Sequence, residues 1–138
     1  MTRILAKSSG ETLSEHTILC LKVAKTLIDS VPPLPKHVRN RLEKDVLDAV
    51  ALHDVGKAAI GFQKVLKGKQ KNWNGNRHEV LSAAFASAIP GTSPFVVFAI
   101  LTHHRSIPSD GITEISGCLY REQIPMGYRE TAAWKEMA

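Results

Sequence analysis

The sequence predicts an all-α domain, a compact bundle of about five to seven helices. Three observations carry this. Apolar residues recur at helical spacing through 18–28 and again through 38–51. A further segment, VLSAAFASAI (80–89), is apolar almost all round, as expected of a central helix, and FVVFAILT (95–102) reads as another apolar helix. No stretch alternates apolar and polar residues for any length, and there is no internal repeat.

Taken in order, residues 1–10 read as a lead-in without strong structure. Ser14 can cap a first helix running to about Leu27, with Ile18, Leu19, Leu21, Val23, Leu27 and Ile28 at helical spacing and His16 in its first turn. VPPLP (31–35) must end it, because proline removes a backbone donor and restricts the residue before it. A second helix spans Lys36 to Leu52. Val38, Leu42, Val46, Leu47, Val50 and Ala51 mark its apolar face, and His37 at its polar start reads as a surface residue. Ala58 to Leu66 forms a short helix with Phe62 and Val65 inward, followed by the polar loop KGKQKNWNGN (67–76). Arg77-His78-Glu79 opens the central apolar helix, which Pro90-Gly91 stops. Ser93-Pro94 starts the next, which ends on His103-His104. Beyond Arg105, Pro108, Gly111, Gly117, Pro125 and Gly127 prevent a long helix.

Length and composition bound the function. The 138 residues fit one domain, and 43% hydrophobic with 22% charged residues is ordinary for a globular chain. No apolar run approaches the roughly 18 residues needed to span a bilayer, and the N-terminus lacks a signal-peptide core, so a cytoplasmic location with no membrane partner is expected. Cys20 and Cys118 form no CxxC, and both read as buried free thiols of a reducing compartment. A net charge of +5 favours anionic partners. Lys64, Lys67, Lys69, Lys71 and Arg77 place five cations in fourteen residues around Trp73. That pattern suits a nucleic-acid backbone with a base stacked on the indole, although a solvated loop has the same composition.

The chemistry concentrates in LDAVALHDVGKAAIGFQ (47–63). An imidazole and a carboxylate side by side at the end of an apolar helix are costly to bury without a partner, and a metal ion is the usual compensation. Asp54 can bridge two cations while His53 gives one of them a nitrogen. Gly56 permits a tight backbone path, and Lys57 can meet a phosphate as a point charge. His103 and His104 follow eight mostly apolar residues and would otherwise each need a buried partner.

His16, His53-Asp54, His78 and His103-His104, in that order, resemble the HD superfamily of metal-dependent phosphohydrolases, which are all-α domains. The strings LHDVGKAAIGFQ, RHEVLSA and LTHH make the chain most similar to the HD nuclease domain of the type I CRISPR effector helicase-nuclease. These cues span about two-thirds of the chain, 16–104. The resemblance implies that His16, His53 and Asp54 hold one metal, and that Asp54, His78, His103 and His104 hold a second. It also implies that Asp54 and Lys57 act catalytically, with Lys57 on the scissile phosphate or its nucleophile. The family completes its first site with an aspartate on a later helix. Here only Asp110 follows the paired histidines, six residues after His104, so residues 1–138 read as a single HD-type nuclease domain, an N-terminal fragment lacking that ligand.

The expected function is therefore a metal-dependent nuclease, an endonuclease or exonuclease, that cleaves single-stranded DNA in CRISPR interference, an antiviral defence. The expected partners are a helicase domain or subunit and a CRISPR RNA-guided complex. Two cations can neutralise the phosphodiester, lower a water's pKa from about 15.7 toward neutrality and stabilise the leaving oxygen. Histidine-rich ligation favours Mn, Fe, Co, Ni or Zn over Mg. The alternatives are an HD phosphohydrolase acting on a small or signalling nucleotide, and a non-catalytic nucleic-acid-binding module.

Overall fold

Why the first helix begins where it does is a matter of capping. Thr12, not Ser14, is the N-cap: its hydroxyl accepts from the Glu15 N–H while the Glu15 carboxylate accepts from the Thr12 N–H. The computed structural model describes residues 3–104, and in it α1 (Leu13–Ser30) follows from that box and ends two residues before Pro32. Helix α2 (Lys36–Leu52) has the expected bounds. A single 3-10 turn, Val55–Ala58, follows the His-Asp pair and precedes α3 (Ile60–Leu66). Helix α4 (His78–Ser87) and α5 (Pro94–Thr102) complete the bundle, the latter capped by the Ser93 hydroxyl with proline at its first position. The all-helical class is thus borne out, with five helices and no strand among the described residues.

Helix α4 is the axis of the fold. It packs against α5, α2 and the 3-10 turn, and α2 in turn rests on α1 and α5. Its small residues let neighbours approach closely: Ala83 and Ala86 lie against Val96 and Ile100 of α5, backed by Ala49 and Leu52 of α2. On the other side Leu81 meets Ala59 and Trp73, with Phe62 and Val65 closing the cluster as expected. Leu81 and Ile100 are fully buried, so truncating either to Ala should cost about 2–5 kcal/mol.

The turn after the His-Asp pair explains why glycine and serine occur in the strings that carry the resemblance. A Cβ at Gly56 would stand 2.2 Å from the His78 carbonyl oxygen and 3.0 Å from the Ser82 nitrogen, so only glycine lets the turn seat on α4. The Gly56 N–H then donates to the buried Ser82 hydroxyl at 2.9 Å. Gln63 fixes the other side. Its amide donates to the Lys57 and Leu5 carbonyls and accepts from the Leu5 N–H, at 2.7, 2.9 and 2.9 Å.

Two expectations are corrected. Residues 3–10 are not a lead-in without structure: Leu5 pairs with Thr12 in an antiparallel bridge, Ala6 is buried, and Gln63 holds the segment by a contact 58 residues away. No local pattern could signal a pairing that remote. The apolar face of α2 is only partly covered, since Val38 and Leu42 are exposed and line an open groove with Phe95 of α5. Residues beyond 104, including Asp110 and Cys118, lie outside the described residues.

Candidate metal centre

Asp54 stands at the junction of four elements and is 2% exposed. Its two oxygens face different sets of imidazoles. Oδ2 lies 3.4 Å from Nε2 of His16 on α1, 3.3 Å from Nε2 of His53 at the end of α2, and 2.7 Å from the Lys57 ammonium. Oδ1 lies 3.2 Å from Nε2 of His78 at the start of α4 and 3.7 Å from Nε2 of His103 at the end of α5. His104 packs edge-on to His78 at 4.9 Å between ring centroids. The ligand-type atoms of Asp54, His78, His103 and His104 all fall within 4.8 Å of one another. All six residues expected to hold metal are therefore brought together, although they come from 89 positions of chain.

The second nitrogen of each ring says how the rings are held. Nδ1 of His53 lies 2.8 Å from the Val50 carbonyl oxygen, and Nδ1 of His103 lies 2.6 Å from that of Ile100. A carbonyl only accepts, so both rings carry an N–H at Nδ1 and point Nε2 toward Asp54, where the neutral ring would offer its lone pair. His16 and His78 are oriented alike by carboxylates, Glu11 at 3.2 Å and Glu79 at 3.3 Å from Nδ1. Glu79 in turn is held by Arg77, whose Nε donates to it at 2.8 Å.

This arrangement fits a cation. Nitrogens of four imidazoles converge on one carboxylate; the Lys57 ammonium lies against Oδ2, and a cation at Oδ1 would neutralise the other side. Asp54 Oδ1 and His78 Nε2 are both buried and have no hydrogen-bond partner, an expensive condition that coordination would relieve. Burial opposes ionisation of Asp54, but the adjacent imidazoles of His103, His53 and His78 and the Lys57 ammonium outweigh it and hold the carboxyl far below the usual carboxylate range. The hydrogen bond with Asp54 pushes the His53 imidazole up against the opposing effect of burial. Burial, with His103 and His78 nearby, pushes His104 down, which keeps its ring neutral, the form that can ligate. His103 and His104 are exposed as residues whereas Asp54 and His78 are buried, so the cluster opens to solvent at the end of α5.

The basic segment turns out differently from expectation. Lys64, Lys67, Lys69 and Lys71 are exposed. Trp73, expected to stack on a base, is 7% exposed and packs edge-on against Phe62 at 5.6 Å, in the core cluster with Ala59 and Leu81. Both faces of an indole so placed are covered. Arg77, expected on a phosphate, instead forms an ion pair with buried Glu79. His37 is exposed and apart from the cluster, as expected.

The HD domain family matches residues 13–132. The chain belongs to the HD-domain family. A protein of Myxococcus xanthus (strain DK1622), provisionally named CRISPR-associated nuclease/helicase Cas3, is 37% identical over 97 residues. That alignment covers 59% of this chain and 13% of the relative's length. No solved structure gave a significant match. HD domains bind divalent metal ions, and the family together with this relative supports a metal-dependent phosphohydrolase. No helix among the described residues is long and apolar enough to cross a membrane.

Several residues at the site escaped the sequence reading. Glu11 and Glu79 orient two rings, Ser82 holds the Gly56 backbone, and Gln63 anchors the turn beneath Lys57. Glu79 could have been found, because a carboxylate next to a suspected ligand is a ready Nδ1 partner. Glu11 gave no such signal, since its position depends on the bridge at Leu5. Cys20, read as a buried core thiol, is half-buried and lies 3.6 Å from Nε2 of His16.

Proposed function

We propose that this HD domain is a nuclease that cleaves single-stranded DNA in CRISPR interference against foreign DNA, acting in the cytoplasm with a helicase domain or subunit and an RNA-guided complex. The observation that carries the reading is the division of Asp54: one oxygen toward His16 and His53, the other toward His78 and His103. A single carboxylate placed this way suits two cations sharing one bridge, the arrangement phosphodiester hydrolysis uses. The name of the Myxococcus relative supports the polymer substrate and the helicase partner.

In this reading His16, His53 and Asp54 hold one ion, and Asp54, His78, His103 and His104 hold the other. The ions supply charge neutralisation of the phosphodiester and acidification of water at neutral pH. Lys57 is a catalytic residue through its position. Its ammonium holds Asp54 with one of three donors, and the other two remain for a phosphate oxygen of the substrate. Lys64, Lys67, Lys69 and Lys71 supply exposed charge for the strand. A second reading, hydrolysis of a small or signalling nucleotide, is favoured by the burial of Trp73, which removes the platform that a polymer's bases would use.

The test is a cleavage assay on circular single-stranded DNA with Mn, Co or Ni, beside a panel of nucleoside triphosphates and cyclic nucleotides. Linear or fragmented DNA from the wild type, and intact circles with Asp54→Ala, are expected. Turnover of the nucleotides with intact circles throughout would replace the first reading by the second.

A further inference from the structure

Cys20 lies four residues after His16 on α1, and that spacing places both side chains on one face of the helix. Sγ of Cys20, Nε2 of His16 and a ring nitrogen of His53 all fall within 4.8 Å of one another. The buried carboxylate of Asp54 points Oδ2 at the same place, 3.4 and 3.3 Å from the two imidazoles. Both rings are already committed through Nδ1, to Glu11 and to the Val50 carbonyl, so the lone pairs that remain face the thiol. Three ligand-type atoms, two nitrogens and a sulfur, thus lie together, and the Asp54 carboxylate, which also holds the Lys57 ammonium, reaches both imidazoles.

We infer that Cys20 is a thiolate ligand of the metal position formed by His16, His53 and Asp54, and that it biases this position toward Zn, Co or Ni and away from Mn or Mg. The inference rests on the two-ion reading above and refines it. Thiolate is a soft ligand, and a tetrahedral set with one sulfur, two imidazoles and a carboxylate is of the kind zinc-group ions occupy. On binding, the thiol gives its proton to solvent and its sulfur lone pair to the ion. The set is complete from residues 16–54. The second position, made of His78, His103, His104 and Asp54, has no sulfur among its ligand-type atoms. The two positions therefore differ in softness, and one carboxylate joins them. In the competing arrangement the thiol merely donates its S–H to Nε2 of His16, a contact that the 3.6 Å separation also allows.

Cobalt separates the two. The chain is loaded with Co(II), its metal content measured by elemental analysis, and its near-ultraviolet absorption recorded. A thiolate-to-cobalt charge-transfer band is expected in the wild type and in Cys118→Ser. Cys20→Ser should lose the band and bind the ion at this position at least about tenfold more weakly, with unchanged far-ultraviolet circular dichroism. Cobalt bound without the band, or a band that survives in Cys20→Ser, overturns the assignment of Cys20 and leaves the histidine centre standing. No cobalt bound at all overturns both.

Discussion

The cluster around Asp54 and the segment 64–77 are both rich in charge, yet they are built on opposite principles. In the cluster the rings of His16, His53, His78 and His103 each have one nitrogen tied to a carboxylate or carbonyl, and the other turned inward. In the segment, Lys64, Lys67, Lys69 and Lys71 are exposed and make no ion pair with any described residue. Between the two stand Trp73 and Arg77, which belong by sequence to the segment and by contact to the core and to Glu79. The lesson is that the groups of the cluster are immobilised by a second set of partners, whereas the lysines of the segment are left free. Residue type alone does not tell the two apart.

The largest effect should come from the atom on which the cluster turns. Asp54→Ala removes the only carboxylate among the described residues that reaches both sets of rings, so metal content should fall at both positions and cleavage should drop below detection. Elemental analysis after dialysis reads this directly. Metal retained at wild-type stoichiometry would break the bridging assignment.

Trp73 offers the next largest effect, and it tests which region the residue belongs to. As a core residue it should lose about 3–5 kcal/mol of stability on truncation to Ala, measured by chemical denaturation. The folded fraction should bind single-stranded DNA almost as the parent does. A stable Trp73→Ala protein with DNA affinity reduced by roughly 1–3 kcal/mol would instead restore the base-stacking role.

How much of this was legible follows the same division. The bounds of α2 were, because Pro35 and the His-Asp pair mark its ends in the sequence itself. The gathering of His53, Asp54, His103 and His104 was, because they stand where an apolar helix ends, whereas His16 and His78 follow polar residues at helix starts and were singled out through the family resemblance. The N-cap was misplaced from Thr12 to Ser14 because both are good caps, and only the reciprocal bond with Glu15 decides between them. The role of Gln63 and the pairing of Leu5 with it were invisible, since they rest on contacts between distant segments. The burial of Trp73 was not legible, because its loop is polar on both sides and nothing local says that an indole will fold back onto Phe62.

A smaller effect sharpens the comparison inside the cluster. Of the rings in the cluster, Glu11 touches that of His16 and Glu79 that of His78. Removing a carboxylate that orients a ligand typically costs 10–100-fold in metal affinity. Glu11→Ala should therefore weaken the position of His16 and His53 by roughly that factor and leave the other unchanged, with Glu11→Gln recovering part of the loss. Metal titration followed at two sites checks this. An equal loss at both would mean that the two halves of the cluster are not separate positions.

The smallest effect concerns the free lysines, and it is the one that shows whether the exposed segment has any function. Binding that neutralises phosphates weakens with salt, with a log–log slope of about −0.7 per contact on a single strand. Lys64, Lys67 and Lys69 lie at the end of α3 and in the turn after it, all on the surface. Replacing all three with Ala should flatten the slope by as much as about 2, if each meets a phosphate. Metal content should not change, because none of the three touches a ring of the cluster. Stability should also hold, since exposed lysines without partners contribute little to it. Fluorescence anisotropy with a labelled single strand over a salt series gives the slope. An unaltered slope would make these lysines a solvated surface, with the strand's contacts confined to Lys57 and the metal cluster, and the small-nucleotide reading would then gain.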